Sequence, residues 1–187
     1  MKSHARVVVI GGGVVGVSTL YHLTRKGWSD VVLLERTELT AGSTWHAAGL
    51  LPLFNMSYTV GQVHKYSVDL YKRLPAETGQ DVSFHVTGNL RLATCRDRMD
   101  EYKKYCGTAN TIGVPFQLIS PAEVKELWPL VNLGGDADTP AVIGALYHPD
   151  DGHIAPADLT MALRRAARSA GAEINEQTEV TGAVQMP

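Results

Sequence analysis

The sequence predicts an α/β chain in which strand–helix–strand units at both ends enclose an antiparallel block. Three observations predict it. A β-branched run over residues 5–10 breaks at Gly11-Gly12-Gly13-Val14-Val15-Gly16, and an apolar-periodic stretch follows. A second apolar run, Val31-Val32-Leu33-Leu34, ends in the acid Glu35. From about Val82 the texture changes to short alternating runs broken by glycine and proline.

Residues 5–10 read as a buried parallel strand, since such strands are covered on both faces and rich in β-branched side chains. Residues 14–26 read as a helix with Val17, Leu20, Tyr21 and Thr24 on its inner side, stopped by Gly27. Glycines spaced Gly-x-Gly-x-x-Gly between that strand and helix suit a phosphate cradle. Gly11 permits the tight turn, Gly13 lets backbone approach a pyrophosphate, and Gly16 lets helix and strand pack closely. The unpaired N–H groups and dipole at the helix start, Val14-Val15, favour phosphate charge. Glu35 stands nineteen residues after Gly16, where a carboxylate can accept hydrogen bonds from an adenosine ribose. An acid there disfavours a 2′-phosphorylated cofactor, although Arg36 next door weakens that exclusion. The unit predicts a dinucleotide site.

A nicotinamide site would continue through further regular βα units. This chain instead enters Leu39-Thr40-Ala41-Gly42-Ser43-Thr44 and then Trp45-His46. Small hydroxyl residues at a helix start leave N–H groups free for a second set of phosphate contacts. On the residues alone, His46 has two readings: a packed histidine satisfied by a nearby carbonyl, or a group with a special role at the cofactor.

The run Gly42-Ser43-Thr44-Trp45-His46-Ala47-Ala48-Gly49-Leu50, preceded by Glu35-Arg36 and Glu38-Leu39-Thr40-Ala41, resembles a segment of the dimethylglycine dehydrogenases. Sarcosine dehydrogenase and dimethylglycine oxidase carry close versions. The resemblance continues through Phe84-His85-Val86-Thr87-Gly88-Asn89-Leu90-Arg91-Leu92-Ala93-Thr94, then Leu146-Tyr147-His148-Pro149-Asp150-Asp151-Gly152-His153-Ile154, then Asp158-Leu159-Thr160-Met161-Ala162-Leu163. It covers essentially the whole chain, as the N-terminal portion of such proteins. It implies a Rossmann-like FAD-binding domain of the glutathione-reductase/DAO type, incomplete here, with part of an antiparallel-sheet substrate domain inserted. The FAD contacts it implies are Gly11, Gly13, Val14, Val15, Gly16, Glu35, Arg36, Gly42, Ser43, Thr44, Trp45, His46, Ala47, Ala48, Gly49 and Leu50. Val180 joins them, because in this fold its backbone lies against the adenine. The family's motif histidine is bonded to the 8α-methyl carbon of FAD, and the matching position is His46.

The implied activity is removal of a hydride equivalent from an N-methyl group of a small amino acid, dimethylglycine or sarcosine-like, onto flavin N5. The resulting iminium is hydrolysed to formaldehyde, or its one-carbon unit is captured by tetrahydrofolate in a C-terminal domain. Oxygen or an electron-transfer flavoprotein takes the electrons. Catalytic side chains over the ring are expected beyond Pro187. One departure is Ala155-Pro156, where relatives often have Asp-Pro. Two alternatives stay open: a nicotinamide-dependent dehydrogenase, and a non-catalytic truncated dinucleotide-binding module.

The expected organisation is discontinuous. Residues 1–81 form the first part of the FAD-binding domain, 82–150 a partial substrate domain, and 151–187 a truncated return. A long helix at 60–74 carries Val63, Tyr66, Leu70, Tyr71 and Leu74 at core spacing. Phe84-His85-Val86 and Asn89-Leu90-Arg91-Leu92-Ala93 read as a hairpin around Gly88, before a charged helix at 97–112. Ser120-Pro121-Ala122-Glu123 has the pattern of a capping box. Residues 142–147 should be a strand. A helix at 156–170 should turn Leu159, Leu163, Ala166, Ala167 and Ala170 inward, before Gly171 ends it and Ala172-Glu173-Ile174 returns to the sheet. Closing that sheet needs later strands, so a chain ending at Pro187 reads as a fragment, a split subunit or a truncation.

Seventeen basic and nineteen acidic residues give a net charge of −2, which offers no electrostatic footprint for nucleic acid. No apolar run reaches membrane-spanning length. Residues 1–6 are too short for a signal or transit peptide, which points to the cytoplasm. Cys95 and Cys106 read as two unpaired buried thiols. His148-Pro149-Asp150-Asp151-Gly152-His153 holds possible metal ligands, but Pro149 and Gly152 mark a turn and no third histidine is near. A structural link between the domains is the expectation there, and no metal. Arg91 either faces a substrate carboxylate or is an ordinary exposed arginine.

Overall fold

The computed structural model describes residues 2–185. In chain order its elements are β1 (Val7–Ile10), α1 (Val14–Arg25), β2 (Val31–Leu34), β3 (Leu50–Leu51), α2 (Tyr58–Thr78), β4 (His85–Val86), β5 (Asn89–Ala93), α3 (Arg96–Ile112), β6 (Gln117–Ile119), α4 (Pro121–Leu127), β7 (Gly144–His148), β8 (Gly152–His153), α5 (Pro156–Ser169) and β9 (Glu173–Asn175). They fall into two compact units. The first takes in residues up to 49, 71–84 and from 154 onward; the second takes in 50–70 and 85–153.

In the first unit β1, β2 and β9 form a parallel sheet in that order, as the opening strands of a doubly wound fold do. The register pairs Ile10 with Leu34, so the chain leaves β1 and β2 side by side and the Gly11 N–H donates to Leu34 O at 2.9 Å. Helix α1 packs on β1, β2 and α5 and buries Val17, Leu20 and Tyr21, the side expected of it; Thr24 is half-buried. On α5 the buried stripe is Leu159, Thr160, Ala162, Leu163 and Ala167. Ala166 is only half-buried and Ala170 is exposed, which corrects the expected inner face. Thr160 fits inside because its hydroxyl donates to Pro156 O at 2.7 Å within its own helix.

The second unit contains two antiparallel sheets, β3-β8-β4 and β5-β7-β6. The hairpin expected around Gly88 is absent. β4 pairs with β8 and β5 with β7, so the two short strands belong to different sheets. Their connection is held from elsewhere, because the N–H groups of Thr87 and Gly88 both donate to Asp151 O, at 3.2 and 2.9 Å. Gly88 sits at φ +72°, and a Cβ there would lie 2.7 Å from the Tyr147 ring. The β5-β7-β6 sheet gathers Ile119, Val124, Val131 and Ala145 into a core, with Leu90, Leu92, Leu133 and Tyr147 packed on it. Helix α4 opens with the expected capping box: Ser120 N–H donates to Glu123 Oε2 at 2.7 Å, and Glu123 N–H to Ser120 Oγ at 3.3 Å.

Three further expectations need correction. The first strand is not buried: Val9 packs towards Gly16 of α1 and is half-buried, but Val8 and Ile10, which point to the opposite face, are exposed. On α2, Val63 and Tyr66 are exposed, while Gly61, Val68, Leu70, Leu74 and Thr78 are buried. The helix begins in the second unit and ends in the first, so no single stripe serves as its inner face. Cys106 is half-buried, with its thiol 3.1 Å from Tyr102 O, but Cys95 is exposed at the start of α3; both are free.

Candidate functional site

In the first unit, the ends of β1 and β2, the start of α1 and the turns at 41–47 line one cleft of about 780 Å³. Small-molecule sites commonly span about 300–1,000 Å³. The glycine loop forms its floor for steric reasons. Gly11 adopts φ +105°, a left-handed conformation that side chains resist. Gly16 allows nothing larger than hydrogen, since a Cβ would lie 2.0 Å from Gly11 O. The Val14 N–H donates to Thr44 Oγ1 at 2.8 Å, which draws the 41–47 turns onto the helix start. Among the described residues nothing accepts from the N–H groups of Gly13, Val15 or Gly16, all of which line the cleft. Such a set of donors at a helix N-terminus can hold an anion.

Glu35 closes the opposite side. Its Oε2 accepts from the Gly12 N–H at 2.6 Å, and its Oε1 accepts from the Thr37 N–H and hydroxyl at 2.9 and 3.0 Å. Partial burial opposes its charge, but the Thr37 and Gly12 donors, with Arg36 beside them, hold the carboxyl below the usual range. Gly12 was not distinguished from its neighbours in the sequence, yet a Cβ there would meet Leu39 Cδ2 at 2.4 Å. Thr37, Thr19 and Ala41 also line the cleft; nothing in the glycine spacing marked them.

The cleft therefore brings together Gly11, Gly13, Val14, Val15, Gly16, Glu35, Arg36, Gly42, Ser43, Thr44 and Ala47. Trp45, His46, Ala48, Gly49, Leu50 and Val180 are not among its lining residues. The helix start expected at 42–46 is a run of turns, with Trp45, His46 and Ala47 N–H groups donating three residues back. Thr44, the hydroxyl best placed to cap a helix, is buried and committed to Val14. His46 is exposed, with Nδ1 3.1 Å from Gly42 O. A carbonyl only accepts, so this contact puts the neutral ring's proton on Nδ1 and leaves the Nε2 lone pair facing solvent. Both readings of His46 are thus compatible in one geometry: a carbonyl satisfies one nitrogen and the other stays available. Gly49 has a structural task, since it sits at φ +74°, accepts the Ile154 N–H at 2.9 Å, and has no space for a Cβ beside Ile154 O. Leu50 begins β3 in the second unit. The segment before Val180 runs beside Glu35, because the Thr178 N–H donates to Glu35 O at 2.8 Å.

The family model for "FAD dependent oxidoreductase" (DAO) matches residues 6–186. The chain belongs to this family. Membership sets aside the nicotinamide-dependent alternative. The whole chain is 45% identical to the mitochondrial dimethylglycine dehydrogenase of Rattus norvegicus, over 21% of that protein. It is 42% identical, over 97% of its length, to the mitochondrial sarcosine dehydrogenase of Homo sapiens, covering 19% of that protein. The chain thus spans about a fifth of these curated relatives. The crystal structure of L-proline dehydrogenase from P. horikoshii superposes on 98% of this chain and 47% of its own, at 33% identity and a TM-score of 0.88.

The second unit holds the other polar cluster. His148 and Asp151 are buried, at 0% and 1% exposure, on and just after β7. Asp151 Oδ1 accepts the Leu53 N–H at 2.9 Å, and His148 Nε2 lies 3.0 Å from Tyr105 Oη. Burial pushes the Asp151 carboxyl up to about 6, against the Leu53 N–H and Arg91. Burial, aided by Arg91, pushes His148 down to about 4. Arg91 is half-buried with its guanidinium 4.5 Å from the Phe54 ring centroid, a cation–π stack. Among the described residues no group of three or more His, Cys, Asp or Glu side chains gathers for a metal, and no helix is long and apolar enough to cross a membrane.

Proposed function

We propose that this chain forms the FAD-binding start of a flavin enzyme that oxidises a small N-methyl amino acid of the dimethylglycine or sarcosine type. The observation that carries the reading is the convergence of three features on one cleft: the donor-rich start of α1, the Glu35 carboxylate and the turns at 42–47. The residues fit the cofactor. The free N–H groups of Gly13, Val15 and Gly16 would hold the pyrophosphate, and a Cβ on Gly13 would already crowd Thr44 Oγ1 at 3.1 Å. A carboxylate offers about four acceptor positions. Gly12 and Thr37 occupy three on Glu35, which leaves one that could accept from a ribose hydroxyl. Bound FAD supplies the hydride acceptor, while the chain's own share is binding and orientation.

Covalent attachment through His46 belongs to the same proposal. Its Nε2 is the nitrogen left unprotonated by the Gly42 contact, and is therefore the one available for a bond to the flavin. Oxygen or an electron-transfer flavoprotein would take the electrons, and the proposed location is cytoplasmic, which cell fractionation checks. The test uses the full-length protein. Denatured wild type should carry flavin fluorescence on a gel, whereas His46→Ala should release all its flavin on acid precipitation. Flavin retained by the denatured variant removes the attachment. Flavin-loaded wild type that oxidises no N-methyl amino acid removes the activity.

A further inference from the structure

Among the described residues the second unit buries four polar atoms with no hydrogen-bond partner, His64 Nδ1, His148 Nδ1, Asp151 Oδ2 and Arg91 Nε, and the proposed flavin site uses none of the last three. Those three surround the same short segment. Leu53 binds Asp151 Oδ1, and the next residue, Phe54, carries the Arg91 guanidinium on its ring and stands edge-on to His148, 6.5 Å between centroids. The strand register pairs Asn89 with His148 and Arg91 with Leu146, so Arg91 and His148 share one face of the sheet. Arg91 acts electrostatically on both His148 and Asp151.

The Tyr105 hydroxyl has one hydrogen and two neighbours able to accept it, Leu53 O at 3.4 Å and His148 Nε2 at 3.0 Å. With that hydrogen on Leu53 O, Nε2–H donates to Tyr105 and Nδ1 is a bare lone pair. Asp151 Oδ2 is a second acceptor and Arg91 Nε–H a donor. An occupant must give two hydrogens and take one. A metal cation suits the two acceptors but is repelled by the guanidinium, and an anion is refused by the carboxylate. A water molecule matches all three. Leaving a buried donor or acceptor bare is costly, and buried waters occupy such positions in globular proteins.

We propose that the second unit binds one structural water, which donates to His148 Nδ1 and Asp151 Oδ2 and accepts from Arg91 Nε–H. The water links β5 and β7 to the residue that anchors Leu53 through its side chain and the 87–88 turn through its carbonyl. It also lets Arg91 offset the charge of Asp151 with no direct ion pair. Arg91 therefore serves the interior of the second unit, and its half-burial departs from the ordinary exposed arginine that was one of its two expected readings.

A high-resolution crystal structure of the full-length wild-type protein tests this. The expected result is a single water peak within hydrogen-bond distance of all three atoms. A dry pocket, a direct Asp151–His148 or Asp151–Arg91 contact, a peak that misses any of the three atoms, or a metal-like peak overturns it. In Arg91→Met, which keeps an unbranched chain against Phe54 but loses the donor, the peak should weaken or vanish. An unchanged peak there removes Arg91 from the site.

Discussion

The cleft at the start of α1 and the His148–Asp151 cluster, one in each unit, leave polar groups unpaired in opposite ways. In the first, the N–H groups of Gly13, Val15 and Gly16 face an open cleft, where water satisfies them until a ligand replaces it. In the second, His148 Nδ1, Asp151 Oδ2 and Arg91 Nε are sealed inside. Exposed donors cost little and mark a place for something to bind. Sealed ones are expensive, and shift the protonation of their neighbours. The difference separates a site built for exchange from one built to stay fixed.

The largest expected effect breaks the open site. Gly16→Ala puts a methyl group 2.0 Å from Gly11 O and 3.1 Å from Gly11 C, both backbone atoms, so the loop must move. Overpacking of this kind costs about 1–3 kcal/mol, occasionally more. Flavin content of the full-length variant should collapse and its melting temperature should drop. Wild-type flavin content would show that the loop tolerates a side chain.

The sealed site should respond to pH. Asp151 is raised from 3.8 to about 6, so the folded state holds its proton more tightly than the unfolded chain, and stability from this group rises as pH falls from 6 towards 4. His148 is lowered from 6.5 to about 4, so the unfolded chain takes up the proton first, and stability from this group falls over nearly the same window. In the wild type the two slopes oppose each other. Asp151→Asn keeps an acceptor for Leu53 but removes one slope, so its stability should fall steadily with pH between 6.5 and 4. Denaturant melts of both proteins across that range check this. Parallel curves would mean that the pair does not titrate there.

Local features were legible in the sequence and distant pairings were not. Strand, glycine loop, helix and acid lie within residues 7–35, and each signal acts on its neighbours. The Ser120–Glu123 capping box was readable for the same reason. The hairpin failed because β4 and β5 find partners more than fifty residues away, and two short alternating runs carry no mark of that. On α2 the 3.6-residue pattern identified a helix, but not that its inner face changes between units. Around His46 the small residues suggested a cap, whereas the Thr44 hydroxyl was claimed by Val14, thirty residues earlier.

A third kind of unpaired group sharpens the comparison, with the smallest expected effect. Helix α5 starts at Pro156, and its N-cap, Ala155, has φ −80° and ψ 112°, the extended geometry of a capped residue, but no side chain able to accept. The first N–H groups after Pro156 are therefore left to solvent. Ala155→Asp supplies the missing acceptor and places a negative charge at the positive end of the helix dipole. Such caps are worth about 0.5–2 kcal/mol. The gain should sit at the low end, because water already serves these groups and Asp158 at the third helical position repels a second carboxylate. Ala155→Ser caps without that repulsion. Thermal melts of both variants should show a modest rise, with serine at least equal to aspartate at low salt and the two converging as salt screens the charges. A loss of stability in both would mean that the Ala155 N–H bond to Val82 O fixes a backbone that no side-chain cap can share.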